Sequence, residues 1–82
     1  MTTEYDYLNP AVFRERLKQA IAESGMTTEQ VSIDCEIPLC SMRNYTGIKT
    51  FSAPRLDILI GIADFLNVSI DWLCGRKERK EI

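Results

Sequence analysis

Side chains suited to catalysis are few in this sequence. It has three cysteines, at positions 35, 40 and 74, and no histidine. Without histidine the chain has no Ser–His or Cys–His nucleophile, and it lacks the usual ligands of most zinc sites. Neither of the glycine-rich phosphate-binding patterns, GxGxxG or GxxxxGK followed by Ser or Thr, is present. We therefore expect a binding protein rather than an enzyme, with no metal or other cofactor.

The length and composition favour one small domain in a reducing compartment. The chain has 82 residues, of which 45% are hydrophobic, enough for a single core. An odd number of cysteines without CxxC spacing argues against a disulfide framework. The N-terminal sequence MTTEYDY lacks the features of a secretory signal, and no apolar run approaches the roughly 20 residues of a membrane span. We expect a soluble, cytoplasmic protein.

The charge balance sets a constraint on partners. Ten basic and twelve acidic residues give a net charge of −2, which is the wrong sign for an obvious nucleic-acid binder. Residues 27–47 carry one arginine against three carboxylates, whereas the tail 76–82 carries four basic and two acidic residues. Any attraction to phosphate must come from a few well-placed side chains and helix N-termini.

Apolar spacing and capping residues predict five short helices. Asn9 caps the first helix, which begins at Pro10 and ends at Gly25. Thr27 caps the second, and the Ile37-Pro38 pair ends it. The third helix covers about residues 39–45, and a loop follows it. Pro54 opens the fourth helix, Asn67 ends it, Ser69 caps the fifth and Gly75 ends the fifth. The inward side of the fourth helix is predicted to hold Leu56, Leu59, Ile60, Ala63 and Leu66.

We therefore predict an all-α fold with three parts: an N-terminal arm at 1–9, a five-helix domain at 10–75 and a charged, solvated tail at 76–82. The segment 28–47 has the residue types of a helix-turn-helix. Ser32 is small where the two helices touch, Ile37 begins the inward side of the turn, and Met42 packs the second helix on the first. The remaining apolar positions of this segment are Val31, Cys35 and Tyr45.

These patterns resemble the lambda repressor/Cro-like helix-turn-helix family of phage and bacterial regulators, over about residues 11–75. The stretch FRERLKQAIAESGMTTEQV is similar to the family's first helix and the start of its second. The stretch LDILIGIADFLNVSIDWLCGR is similar to its fourth and fifth helices. The resemblance implies a transcriptional regulator, typically a repressor, that binds a double-stranded DNA operator as a homodimer. Its recognition helix, at about 38–47, would enter the major groove.

The resemblance also implies which side chains contact DNA. Arg43 would pair with a guanine edge and Asn44 with adenine. Leu39 and Cys40 would meet thymine methyl groups or a sugar, and Leu39 alternatively belongs to a protein interface. Phosphate contacts are expected from three further residues: Thr28, Ser41 and Lys49. The alternative for Thr28 is an ordinary first-turn residue of the second helix. The alternative for Arg43 and Asn44 is an ordinary solvated helix face.

Several positions depart from the family pattern, among them Thr46, which stands where a Glu usually follows the aromatic residue, and two positions at the turn. Glu36 stands where the family usually has a glycine in the turn, and it would carry a strain of about 1–2 kcal/mol if that position is left-handed. Pro38 stands where a serine usually caps the recognition helix. We expect the fold to tolerate these changes.

The fifth helix suggests a dimer surface. Ile70, Trp72 and Leu73 lie on a helix that we expect to be too short to bury all three, so they are predicted to form a two-fold homodimer contact. A rival function uses the same fold as a protein-binding module, such as an antirepressor or an antitoxin-like partner. The acidic helix pair and the exposed Leu39-Cys40 favour that alternative.

Overall fold

In the computed structural model of the chain, residues 9–47 and 53–81 are described, and they form five helices with no strand among them. The helices are α1 (Pro10–Ser24), α2 (Thr28–Asp34), α3 (Leu39–Thr46), α4 (Leu56–Leu66) and α5 (Ile70–Leu73). The predicted all-α class is confirmed. Most of the N-terminal arm and the predicted phosphate contact Lys49 lie outside the described residues.

The capping residues set most helix boundaries. The Asn9 side chain accepts hydrogen bonds from the first turn of α1, and Thr27 does the same for α2. Ser69 caps α5, and Asn67 ends α4 with a left-handed φ of 59°. The start of α4 differs from the prediction, because Arg55 keeps an extended backbone and the helix begins two residues after Pro54.

One core joins the five helices. Helix α1 packs against α3, α4 and α5, while α2 packs against α3 and α4 against α5. The first and last helices are thus in contact, and α2 and α3 contribute Val31 and Met42 to the same core. The buried hydrophobic residues are Phe13, Leu17, Ala20, Ile21, Val31, Ile37, Met42, Tyr45, Ile62, Ala63, Val68, Trp72 and Leu73.

The turn between α2 and α3 is fixed by bonds to its own backbone. The Glu36 N–H donates to the Ile33 carbonyl at 3.1 Å, and the Ile37 N–H donates to the Ser32 carbonyl at 2.9 Å. This is the Schellman pattern that ends helices. The buried Ser32 hydroxyl donates in addition to the Ile37 carbonyl. The serine is therefore both the small residue of the helix contact and a second hydrogen-bonded link across the turn.

The predicted inward side of α4 is only partly correct. Ile62 and Ala63 are buried, and Leu59 and Leu66 pack partly against the core. Leu56 is 69% exposed and Ile60 is 40% exposed, so the prediction that these two are buried is wrong. Their positions on the helix lie just outside the arc through Leu59, Ile62, Ala63 and Leu66, beyond the reach of α1 and α5.

The dimer contact was predicted because α5 was expected to be too short to bury its three apolar side chains. For two of the three that expectation is wrong. Trp72 is 4% exposed and Leu73 is fully buried, and only Ile70 remains half-buried. Helix α5 is short, but α1 and α4 pack against it. The Arg16 guanidinium lies over the Trp72 ring, 5.2 Å from its centroid. Trp72 and Leu73 are thus core residues, and the homodimer stays a prediction in which Ile70 alone of the three exposes surface.

The charged tail is anchored rather than simply solvated. The Ser69 N–H donates to the Lys80 carbonyl at 2.8 Å, and the Lys80 ammonium pairs with Glu23 on α1. Bonds from Lys80 and then Gln19 to the carboxylate hold the pKa of Glu23 below its usual value. Arg16 donates to the carbonyls of Trp72 at 2.6 Å and Lys77 at 2.9 Å. The tail's backbone is therefore tied to α1 and α5, although most of its side chains are exposed.

Replacing Glu36 by glycine should stabilise the protein. Glu36 has a φ of 58°, which costs a residue with a Cβ about 1–2 kcal/mol, whereas glycine adds a chain-entropy cost of about 0.5–1 kcal/mol. We expect Glu36→Gly to raise the free energy of unfolding by roughly 0.5–1 kcal/mol in urea titrations. Glu36→Gln removes the charge but keeps the strain and should change little. An equal increase in the free energy of unfolding of both variants would show that the effect comes from removing the Glu36 charge.

Replacing Arg16 by alanine should destabilise the protein. Its guanidinium bonds two backbone carbonyls and stacks on Trp72, and hydrogen bonds to charged groups contribute about 1.5–3 kcal/mol. A loss of that size lowers the melting temperature by roughly 4–8 °C per kcal/mol in a domain of this length. Lys18→Ala removes a positive charge from the exposed side of the same helix and should be nearly neutral. Melting temperatures that match in the two variants would refute the role given to Arg16.

Candidate nucleic-acid interface

One side of helix α3 packs against the core, and the other side faces outward. Met42 and Tyr45 are buried, which orients the helix. On the opposite side Cys40 is exposed, and the Arg43 side chain keeps 67% of its surface exposed. The other predicted contacts on this helix are Leu39, Ser41 and Asn44, and all three are half-buried. None of the five predicted side chains of α3 belongs to the buried core.

The start of α3 lies directly after the turn. Pro38 occupies the capping position without a side-chain hydrogen bond, and its carbonyl accepts from the Met42 N–H at 3.0 Å. The first N–H groups of a helix have no acceptor within the helix. The Ser32–Ile37 bonds set the position of this end, since Ile37 immediately precedes Pro38.

The first turn of α2 carries the predicted phosphate contact Thr28. The hydroxyl of the preceding residue, Thr27, accepts the capping hydrogen bond from the Gln30 N–H at 3.0 Å. Thr28 is therefore not the capping residue, and it lies half-buried in the first turn of the helix. A hydroxyl at this place suits a phosphate, because helix N-termini attract anions.

Two charged residues of the site were missed from sequence. The Glu29 carboxylate on α2 lies 3.8 Å from the Arg43 guanidinium on α3, and 59% of the Glu29 side chain is exposed. The Arg14 guanidinium on α1 donates to the carbonyl of Gly47 at 3.4 Å, just beyond the C-terminal end of α3. A cation suits that end of a helix. Both contacts join different helices, so no spacing within one helix signals them.

The segment that holds α2, the turn and α3 carries a net negative charge. Arg43 faces Glu29, and two further carboxylates, Asp34 and Glu36, lie at the end of α2 and in the turn. The Gln30 side-chain amide donates to Asp34 at 3.0 Å. This face therefore offers directed hydrogen-bond donors rather than a broad positive field.

The three cysteines are free thiols in different surroundings. Burial raises the pKa of the Cys35 thiol, and Asp34 adds to the shift; burial likewise raises the pKa of Cys74, with a further contribution from Asp71. Cys40 is exposed in the first turn of α3. Within the described part of the chain no cluster of residues has the composition of a metal site, and no helix is long and apolar enough to cross a membrane.

Comparison of the chain with protein-family models, with curated proteins and with solved structures gives no match.

The exposure of the thiols predicts their order of alkylation. A raised pKa lowers the thiolate fraction at pH 7–8, and the thiolate is the reactive form. Iodoacetamide at pH 7.5 should therefore modify Cys40 well before Cys35 or Cys74, as read by peptide mapping after limited labelling. In Cys40→Ser the fast phase should disappear. Fast modification of Cys35 in the folded protein would show that the α2–α3 turn is more open than described here.

Proposed function

We propose that this protein is a sequence-specific DNA-binding transcriptional regulator of the phage repressor or Cro type. In this proposal α3 enters the major groove, and the protein acts in the cytoplasm as a homodimer on paired half-sites. The observation that carries it is the outward side of α3, where Cys40 and Arg43 are exposed on a helix whose other side is fixed by Met42 and Tyr45. The resemblance of residues 11–75 to the lambda repressor/Cro-like family supports it.

Each candidate contact has a role in this proposal. Arg43 presents a fork of donors that matches the two acceptors of guanine, and Asn44 suits adenine. Cys40 and Leu39 meet thymine methyl groups or sugar at the start of the helix. Thr28 and Ser41 bind phosphates, and Lys49 is proposed for the same task. Because few cations take part, binding should weaken with salt along a shallow slope.

The direct test is fluorescence anisotropy against a pool of duplexes that includes DNA flanking the protein's own gene, at two salt concentrations. We expect sub-micromolar binding to a subset of duplexes, weaker at the higher salt. An absence of binding at low salt, from protein that is folded, would overturn the proposal.

Arg43→Ala should relax specificity at a single base pair. We expect a loss of about 1–3 kcal/mol on the preferred duplex, which is roughly 5- to 150-fold in Kd. The affinity for random duplex should fall much less. Arg79→Ala is the matched control, since it removes an exposed arginine from the tail. An equal loss on preferred and random duplex would mean that Arg43 does not read a base.

A protein-binding module is the second candidate function, and exposed apolar side chains favour it. Ile33 and Leu56 are each 69% exposed, and Ile60 and Phe65 are each 40% exposed. Leu56 and Ile60 lie one helical turn apart on α4, outside the candidate DNA face. Leu56→Asp should abolish binding to a protein partner and leave DNA binding by α3 intact, which separates the two functions.

A further inference from the structure

We infer that Glu29 is a specificity-determining residue that acts through Arg43. The inference rests on the proposed function and concerns the contact between α2 and α3 on the outward face. Glu29 Oε2 lies 3.8 Å from Arg43 Nη2, and both side chains are more than half exposed. The carboxylate therefore lies on the same face as the arginine proposed to read a base.

The distance between the two side chains determines how Glu29 affects Arg43. A separation of 3.8 Å forms an ion pair but is too long for a hydrogen bond. The carboxylate therefore offsets the positive charge of Arg43 without using any of its five N–H donors. Arg43 keeps its full capacity for a directed, bidentate bond while its attraction to negative charge in general is weakened.

The two modes of DNA binding depend differently on these two properties. Non-specific binding is almost entirely attraction between cations and phosphates. Recognition of guanine depends on two aligned hydrogen bonds to the base edge. Glu29 thus weakens the attraction of Arg43 to phosphate and leaves its recognition of guanine nearly unchanged.

The charges around Arg43 make Glu29 the main influence on the attraction of Arg43 to phosphate. Arg43 is the one basic residue between positions 27 and 47, where three carboxylates occur. Asp34 is bonded to Gln30 on its own helix, and Glu36 lies in the turn. Glu29 is the carboxylate that pairs with the arginine. Its removal should therefore let Arg43 bind phosphate and raise binding to DNA of any sequence.

The test uses the preferred duplex from the binding screen and a random duplex of equal length. Exposed ion pairs are worth little, so we expect Glu29→Gln to tighten random-duplex binding by about two- to five-fold. Binding to the preferred duplex should change less, so the ratio of the two affinities falls by nearly the same factor. The salt slope on random duplex should steepen by about 0.9, which is the value for one additional phosphate contact.

Two controls separate this mechanism from simple charge repulsion. Glu15→Gln makes the same charge change on the exposed side of α1 and should leave the affinity ratio unaltered. In an Arg43→Ala background, Glu29→Gln should no longer change the ratio, because its effect passes through Arg43. The melting temperature of Glu29→Gln should stay at the wild-type value, and Glu29→Ala provides a second variant.

Three outcomes would overturn the inference. An unchanged affinity ratio in Glu29→Gln would do so, as would an equal gain on both duplexes or the same effect in the Arg43→Ala background. In these cases the wild type still binds its preferred duplex, and the proposed function stands. If the wild type binds no duplex at all, the proposed function fails and the role of Glu29 fails with it.

Discussion

The link between Ser32 and Ile37 is the constraint on which the candidate site depends. The Ser32 carbonyl accepts the Ile37 N–H at 2.9 Å, and its hydroxyl donates to the Ile37 carbonyl. Both partners are buried, where an unpaired polar group costs about 1–3 kcal/mol. Because Pro38 and α3 follow directly, these two bonds determine where α3 begins. The strained backbone of Glu36 is tolerated because the bonds on either side of it hold the turn.

A second set of contacts closes the other end of the domain. Arg16 is a surface-type residue by sequence, yet only 19% of its side chain is exposed. It joins the end of α5 to the tail and covers the Trp72 ring. A domain of this length buries a modest share of its surface, so one arginine that satisfies two carbonyls and covers an aromatic ring contributes substantially. None of these contacts uses a side chain of α3.

The sequence predicts local structure well because local structure depends on neighbouring residues. Asn9, Thr27 and Ser69 were identified as caps, and Asn67 as a left-handed helix end, since each forms bonds within a few residues of itself. Four of the five helices have at least one end placed in this way, whereas α3 has no side-chain cap and its start was placed from Pro38. The residue types of segment 28–47 also identified five of its buried positions: Val31, Ser32, Ile37, Met42 and Tyr45.

The errors concern contacts between distant parts of the chain. Burial of Leu56 and Ile60 was predicted from apolarity, but exposure depends on which helices pack against α4. Trp72 and Leu73 were assigned to a dimer surface because the sequence of α5 does not show that α1 and α4 pack against it. For the same reason the sequence gives no sign that Glu29 faces Arg43, since the distance between them depends on how α2 and α3 cross.

The most direct test of the outward side of α3 is ¹H–¹⁵N correlation NMR of the protein titrated with its preferred duplex. If this side contacts DNA, the largest amide shifts will occur in two segments, the first turn of α2 and residues 39–44, and the amides around Leu56 and Ile60 will barely move. Shifts centred on α4, with residues 39–44 unaffected, would contradict DNA recognition by α3.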